Sequence, residues 1–147
     1  MAHIKDVAKY FISLSKESSP YAITPLKLQK LLYYAQGFYL RDNDKPLFDD
    51  ALEAWDHGPV NRGVYEEYRK YKYHTIPSIP FDYNGKLTRE ERMAIKEAWK
   101  EFGDLDGKTL EELTHQEDPW LFTHKDGVIK IELISKYFRE QYDYIGV

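Results

Sequence analysis

The stretch ITPLKLQKLLYYAQGFYL, residues 23 to 40, constrains the fold of this chain more than any other feature. Thr24 can cap a helix and Pro25 is tolerated at its first position, so we expect a helix to begin here. At about 100° per residue, one broad face of that helix is apolar, and it carries Leu28, Leu31, Leu32, Ala35, Phe38 and Tyr39. Tyr33 and Leu40 form a second apolar strip. A helix that is apolar on several sides must be covered on several sides, so the pattern predicts the central helix of a helical domain.

Further helices are predicted on both sides of this segment. They run from about Ile4 to Leu14, after the N-cap residues Asn61, Thr88 and Thr109, and from about Ile131 to Tyr142. Thr88 with Glu91, and Thr109 with Glu112, have the spacing of a capping box. Residues 47 to 60 are too interrupted for a helix. The sequence therefore predicts a mainly α fold, a compact bundle of five to six helices with a minor extended or hairpin element near residues 47 to 60.

Size and composition limit the classes of protein to consider. A chain of 147 residues suits one domain, so we expect a single domain over residues 1–147. No apolar run approaches the roughly 20 residues that cross a bilayer, and cysteine is absent, which fits a cytoplasmic protein. The net charge of −4 disfavours nucleic acid as a partner. Aromatic residues make up 16% of the chain and include 13 tyrosines, which suit both cores and protein interfaces.

Sites for catalysis or cofactors are weakly supported by the sequence. The eight glycines do not form a phosphate-binding pattern, and no serine-nucleophile signature is present. The nearest candidate for a metal site comprises His115, Glu117, Asp118 and His124. Glu53, Asp56 and His57 could form an acid/base cluster, but a solvated turn looks the same. An enzyme would need Glu53, His57, His115 and Glu117 to converge in a cleft. We therefore expect no catalytic residues, no metal and no cofactor.

Three blocks of sequence together carry a family resemblance. They are ITPLKLQKLLYYAQGFYL at residues 23 to 40, LEAWDHGPVNRGVYEEY at 52 to 68 and LTHQEDPW at 113 to 120. Their order and spacing resemble the Panacea domain family, which includes SocA-like antitoxins and phage-associated GepA-like proteins. The resemblance covers nearly the whole chain, and the combination of blocks is far more specific than any one of them.

The resemblance implies a mainly helical antitoxin that neutralises a partner toxin by direct binding, with the toxin encoded by an adjacent gene. One alternative is a proteolytic adaptor that delivers its toxin to an ATP-dependent protease of the Clp type. Another is a DNA-binding autoregulator, although the segment between the second and third helices is longer than a helix-turn-helix needs. The alternatives differ in whether the partner is held or degraded, or whether promoter DNA is bound.

Two surfaces are candidates for the toxin contact, because binding hot spots favour tyrosine, tryptophan and arginine. The residues predicted to bind the partner are Lys27, Lys30 and Tyr34 on one edge of the central helix, Trp55 and His57 in the following turn, and Tyr65, Tyr68, Arg69 and Tyr71 on the third helix and its exit. In the third block, Pro119 is expected to end a helix, and the indole of Trp120 is expected to donate to Glu117 or to a free helix carbonyl.

Overall fold

The computed structural model describes residues 1–142, which form seven α-helices and a two-stranded hairpin. In chain order these are α1 Ile4–Leu14, α2 Pro25–Asn43, β1 Glu53–Trp55, β2 Gly58–Val60, α3 Arg62–Tyr68, a 3₁₀ turn Arg69–Tyr71, α4 Arg89–Phe102, α5 Gly107–Thr114, α6 Asp118–Leu121 and α7 Ile131–Gln141. The predicted mainly α class and its minor hairpin are confirmed. The predicted domain extends over residues 143–147, which lie outside the described residues, and the single-domain organisation stays a prediction.

Helix α2 is the centre of the fold, as its apolar pattern predicted. Every residue from Lys27 to Leu40 is buried. The helix contacts α1, α3, α4, α5, α7 and β2. Thr24 caps its first turn by accepting a hydrogen bond from the backbone N–H of Lys27 at 3.3 Å. Because the other elements surround α2, its polar side chains as well as its apolar ones must find partners inside the protein.

Helix starts were predictable where a side chain caps its own helix. Asn61 Oδ1 accepts from the N–H of Val64 at 2.9 Å to begin α3. Thr88 and Glu91 form the expected capping box of α4, with both of its reciprocal hydrogen bonds present. Local hydrogen bonds of this kind satisfy backbone donors that a helix leaves unpaired, so they act without help from the rest of the fold.

The predicted start of the fifth helix at Thr109 is wrong. The N-cap is Asp106, whose Oδ1 accepts from the N–H of Thr109 at 2.8 Å, so α5 begins at Gly107. A Cβ at Gly107 would lie 3.0 Å from the Leu26 side chain, so the first turn of α5 packs closely on the start of α2. This tertiary contact favours a helix that starts at Gly107, because glycine has no side chain to clash with Leu26.

The short helix α6 was not predicted, and Pro119 does not end a helix as expected. Pro119 instead lies in the first turn of α6, where a missing N–H costs nothing because that donor has no partner within the helix. The chain turns between Thr114 and Asp118 by backbone hydrogen bonds from Gln116 and Glu117 to residues three positions earlier. This turn places Glu117 inside the protein.

The hairpin of β1 and β2 pairs Glu53 with Val60 and Trp55 with Gly58 across a two-residue turn. Gly58 has a φ of 106°, and a Cβ there would lie 2.7 Å from Thr114 Oγ1. Only glycine satisfies both the positive φ and the close approach. On its other side, β1 bonds to the chain around Val128. The hairpin is therefore held between α2, α5 and the segment before α7.

Candidate functional site

The outer edge of β2 is closed by side chains of α2. Lys30 Nζ donates to the carbonyl of Pro59 at 2.9 Å. Gln29 accepts from the N–H of Asn61 at 2.8 Å and donates to the Asn61 carbonyl at 3.1 Å. These bonds occupy main-chain groups that an added strand would need. The hairpin is fixed in place, and its free surface consists of side chains.

The third sequence block anchors the tip of the hairpin. The indole N–H of Trp120 donates to the Trp55 carbonyl at 2.8 Å, so its predicted acceptors, Glu117 or a helix carbonyl, are wrong. The Trp120 ring stacks on His115 with a centroid distance of 4.2 Å. His115 Nε2 lies 2.9 Å from the carbonyl of Asp56. The blocks at residues 52 to 68 and 113 to 120 thus meet in space through backbone carbonyls of the turn.

Glu117 lies at the centre of a buried cluster of tyrosines. The hydroxyls of Tyr33, Tyr34 and Tyr142 donate to its carboxylate at 2.9, 2.9 and 2.8 Å. Glu117 is 4% exposed, and burial raises its pKa even though the three hydroxyls oppose that shift. Burial, followed by the Glu117 charge, also raises the pKa of Tyr34. We call these four residues the Glu117 cluster; its hydrogen bonds are internal and join α2, α6 and the end of α7.

Two lysines of α2 are buried with their ammonium groups. Lys27 Nζ donates to the carbonyls of Pro20, Ala22 and Gly103 at 2.9, 2.9 and 2.6 Å. Burial lowers the pKa of Lys27 to about 8 and that of Lys30 to about 7, in both cases against the opposing effect of nearby carboxylates. Neither side chain reaches the surface, so both have structural roles in this fold.

An open groove lies beside the hairpin, with a cavity volume of about 490 Å³. Its walls come from the start of α2, the hairpin, α3 with its 3₁₀ turn, and the start of α5. We call it the hairpin groove, and it is lined by Pro25, Leu26, Gln29, Trp55, His57, Val60, Val64, Tyr65, Tyr68, Arg69, Lys72, Tyr73, Lys108 and Glu111. Its size falls within the roughly 300 to 1,000 Å³ of known ligand pockets.

Aromatic side chains form part of the accessible lining of this groove. The rings of Trp55 and Tyr65 meet edge to face at a centroid distance of 5.1 Å. Tyr65 is 39% exposed and Tyr73 is 92% exposed. The Trp55 N–H donates to Glu53 at 2.9 Å, which holds the indole in place. The groove therefore offers aromatic surface on a positioned scaffold, the kind of surface that proteins use to bind one another.

Charges surround the groove on the side of α5 and α3. His57 Nδ1 lies 3.0 Å from Glu111, and Lys108 Nζ lies 3.7 Å from the same carboxylate. Burial by itself raises the pKa of Glu111, but the hydrogen bond and charge of His57, with the charge of Lys108, bring it below its ordinary value. Across the groove, Arg69 pairs with Glu66 at 3.5 Å in an exposed ion pair.

The nine predicted partner-binding residues separate into three groups: residues that line the hairpin groove, Tyr71 in a neighbouring hollow, and three buried residues of α2. Five of them line the hairpin groove, namely Trp55, His57, Tyr65, Tyr68 and Arg69. Tyr68 is only 9% exposed and belongs mainly to the core. Tyr71 stacks on Tyr68 but lies in a neighbouring hollow with Ile76 and Ile79.

The predicted surface edge of the central helix is wrong. Lys27, Lys30 and Tyr34 are 1%, 0% and 0% exposed. Helical periodicity placed them on one edge, but the loop before α2, the hairpin and α6 cover that edge and supply carbonyl or carboxylate acceptors. A charged or hydroxyl group can be buried when such partners are available.

Sequence reasoning missed Leu26, Lys72 and Lys108 as groove residues. Lys72 follows the 3₁₀ turn, and Lys108 lies in the first turn of α5. If Asp106 had been predicted as the N-cap of α5, Lys108 would have been recognised as the second residue of that helix. The signal for that start was the Asp106-Gly107 pair, since aspartate is a strong N-cap residue.

The residues considered for catalysis have different partners. Within residues 1–142, no hydrogen bond or ion pair joins any two of Glu53, His57, His115 and Glu117. In the same part of the chain, no three histidine, aspartate or glutamate side chains are grouped as metal ligands. None of the described helices is both long enough and apolar enough to span a membrane.

Comparison with known proteins agrees with the resemblance carried by the three blocks. A segment of this chain is 51% identical over 43 residues to Antitoxin SocA of Caulobacter vibrioides strain NA1000 / CB15N. That match covers 29% of this chain and 23% of the relative, so the compared segment is a small part of that protein. No solved structure matches the chain. The family described as antitoxin SocA-like, Panacea domain matches residues 28–121, from α2 through α6, and the chain belongs to this family.

Proposed function

We propose that this protein is an antitoxin that neutralises a partner toxin by direct binding, and that the toxin contacts the hairpin groove. One observation carries this proposal: Trp55 and Tyr65 form an accessible aromatic surface in a groove built almost entirely from the family-matching residues 28–121. The antitoxin role itself comes from the family to which the chain belongs.

The physical case concerns which surfaces could give affinity. An exposed aromatic ring beside buried apolar side chains, here Val60 and Val64, provides a place where a partner residue can be removed from water. Trp55 and Tyr65 are already held against each other, so ordering them on binding costs little entropy. The Glu117 cluster contributes nothing of this kind, because its groups are buried and satisfied within the protein.

Co-expression with the neighbouring gene tests the function. We expect the neighbouring product to be toxic when expressed alone, tolerated when this protein is present, and purified with it as a complex. If the neighbouring product is harmless, or is tolerated without any complex, the proposal fails. The half-life of the partner in the same cells separates neutralisation by binding from delivery to a protease.

A pair of tyrosine variants tests the location of the contact. Tyr65 in the groove and Tyr21 outside it have similar exposure, 39% and 43%. We expect Tyr65→Ala to weaken binding of the copurified partner by about tenfold or more, as truncation of a central aromatic contact does. Tyr21→Ala should leave the affinity nearly unchanged. Equal effects of the two variants would place the contact elsewhere.

A further inference from the structure

The hairpin groove has a charge opposite to that of the chain as a whole. Its lining includes the cations Arg69, Lys72 and Lys108 and the imidazole of His57, whereas Glu111 is the one carboxylate that the described residues contribute to it. The complete chain carries a net charge of −4. A cationic lining in an acidic protein favours an occupant that carries negative charge.

Arg69 pairs with Glu66 at the edge of the groove. The carboxylate of Glu111 does not offset both Lys72 and Lys108 at the surface. The Glu111 side chain is 8% exposed, and its oxygens are directed to His57 and Lys108. The side chain of Lys108 remains 71% exposed despite this contact. In the described part of the chain, Lys72 has no carboxylate within ion-pair distance. Lys72 and Lys108 can therefore both pair with charges from a partner.

The walls of the groove exclude one common mode of peptide binding. Pro59 has no N–H, its carbonyl is taken by Lys30, and the N–H of Asn61 is taken by Gln29. A bound segment cannot add a strand to β2, so it must bind through its side chains. The partly exposed surface of Leu26, Trp55 and Tyr65 suits aliphatic or aromatic side chains of the occupant.

We propose that the hairpin groove receives an acidic segment of the partner protein, with apolar side chains against Leu26, Trp55 and Tyr65 and carboxylates against Lys72 and Lys108. This inference rests on the proposed function, because it specifies the chemistry of the toxin segment that the groove binds. It predicts that the contacting part of the partner is rich in aspartate or glutamate and alternates these residues with large apolar ones.

A nucleic acid strand fits the groove less well. The exposed carboxylates of Asp56, Glu66 and Glu112 lie on the same elements that form the groove, and they repel a phosphate backbone that continues past it. A short protein segment can place its acids only where the cations are. A single-stranded oligonucleotide therefore serves as a competing probe that distinguishes a protein segment from a nucleic acid strand.

Charge reversal at two lysines tests the inference with the copurified partner. We expect K72E/K108E to weaken binding by about tenfold or more and to reduce its dependence on salt between about 50 and 200 mM. The matched control is K96E/K136E, which makes the same charge change at exposed lysines of α4 and α7 outside the groove. The control should change the affinity by less than about twofold. The neutral variant K72Q/K108Q, with an intermediate loss, serves if the reversed variant does not fold.

Synthetic peptides test the same chemistry without the natural partner. The probes are short labelled peptides in which leucine and tryptophan alternate with glutamate, with lysine or with serine, and a single-stranded oligonucleotide. We expect the glutamate peptide to bind best and to be displaced by the copurified partner. Preference for the lysine peptide, or stronger binding of the oligonucleotide that depends on Lys72 and Lys108, would overturn the inference.

The outcomes distinguish this inference from the proposed function. If the partner binds and rescues toxicity but tolerates K72E/K108E, the antitoxin function stands and the acidic segment is rejected. If no neighbouring product binds, yet the glutamate peptide binds in the groove, the proposed function fails and the chemistry of the groove stands.

Discussion

Tyr33 and Tyr34 of α2 and Tyr65 of α3 are the same residue type used in opposite ways. Tyr33 and Tyr34 are 0% exposed and donate to a buried carboxylate, whereas Tyr65 is 39% exposed and lies in an open groove. The difference comes from their surroundings, because α2 is covered by other elements and the outer side of α3 is not. An excess of tyrosine therefore has two causes in this protein, a polar core and a candidate interface.

The same comparison divides the blocks that carry the family resemblance by role. The block around THQEDPW provides Glu117 to the core and Trp120 to the hairpin turn, so it is mainly architectural. The block around EAWDHGPV provides both a fixed hairpin and the half-buried ring of Trp55, which lines the groove. Architecture and binding surface thus meet at the hairpin, where one face contacts α2 and the other lines the groove.

The largest effect is expected where the buried cluster loses its acceptor. Glu117→Ala leaves the hydroxyls of Tyr33, Tyr34 and Tyr142 without their shared partner, and we expect a loss of about 4 kcal/mol in unfolding free energy. Chemical denaturation measures this loss. Glu112→Ala, at an exposed position of α5, is the control and should change stability by less than about 0.5 kcal/mol. A small loss at Glu117 would mean that the cluster is not a stabilising unit.

Tyr68 lies at the boundary between the buried core and the hairpin groove, because it belongs to the core and also lines the groove. Burial, followed by the charge of Glu67, raises its pKa to about 12. We expect Tyr68→Ala to destabilise the protein by about 3 kcal/mol in denaturant unfolding, since a large buried ring is removed. Tyr68→Phe should retain most of that stability. If Tyr68→Ala costs less than about 1 kcal/mol, Tyr68 belongs with the exposed tyrosines.

The buried ammonium group of Lys30 makes the free energy of unfolding depend on pH. Its pKa falls from 10.5 to about 7 on burial, so between these values the unfolded chain binds more protons than the folded chain. Stability should therefore rise with pH, by about 1 kcal/mol per pH unit from about pH 7 to 8, and this contribution is lost as the pH falls towards 7. Above about pH 8 the buried Lys27 adds a slope of its own, so the comparison is made below that pH. Lys30→Met should flatten the slope, whereas the exposed control Lys96→Met should keep it. Equal slopes in wild type and Lys30→Met would contradict the assignment.

The smallest effect on stability is expected in the open groove. Tyr65→Ala removes an edge-to-face contact with Trp55 but little buried surface, so thermal or chemical unfolding should show a loss of less than about 1 kcal/mol. The comparison with Tyr68→Ala uses the same residue change three positions along the same helix. A loss at Tyr65 as large as at Tyr68 would show that the two tyrosines are both structural.

Much of the site lay within reach of the sequence because local rules specify it. Asn61 and Thr88 cap their helices by bonds to residues three positions on, and Gly58 marks the hairpin turn by its positive φ. Trp55 and Tyr65 were both predicted as partner-binding residues, and their rings meet at a centroid distance of 5.1 Å. These features depend on residues that are close in the chain, so they can be predicted without knowledge of the tertiary structure.

Six of the seven helices in the described residues, the central position of α2 and the family resemblance could all be predicted from the sequence. Which polar side chains of α2 are buried depends on contacts with other segments. Helical periodicity predicts the face on which a side chain lies, but it does not predict which element covers that face. Lys27 was predicted to lie on an exposed face, yet the carbonyls of Pro20, Ala22 and Gly103 accept hydrogen bonds from its ammonium group. Lys108 was overlooked, yet it lines the groove once Gly107 packs on Leu26. Burial and exposure of charge arise from contacts between distant segments, which no local pattern contains.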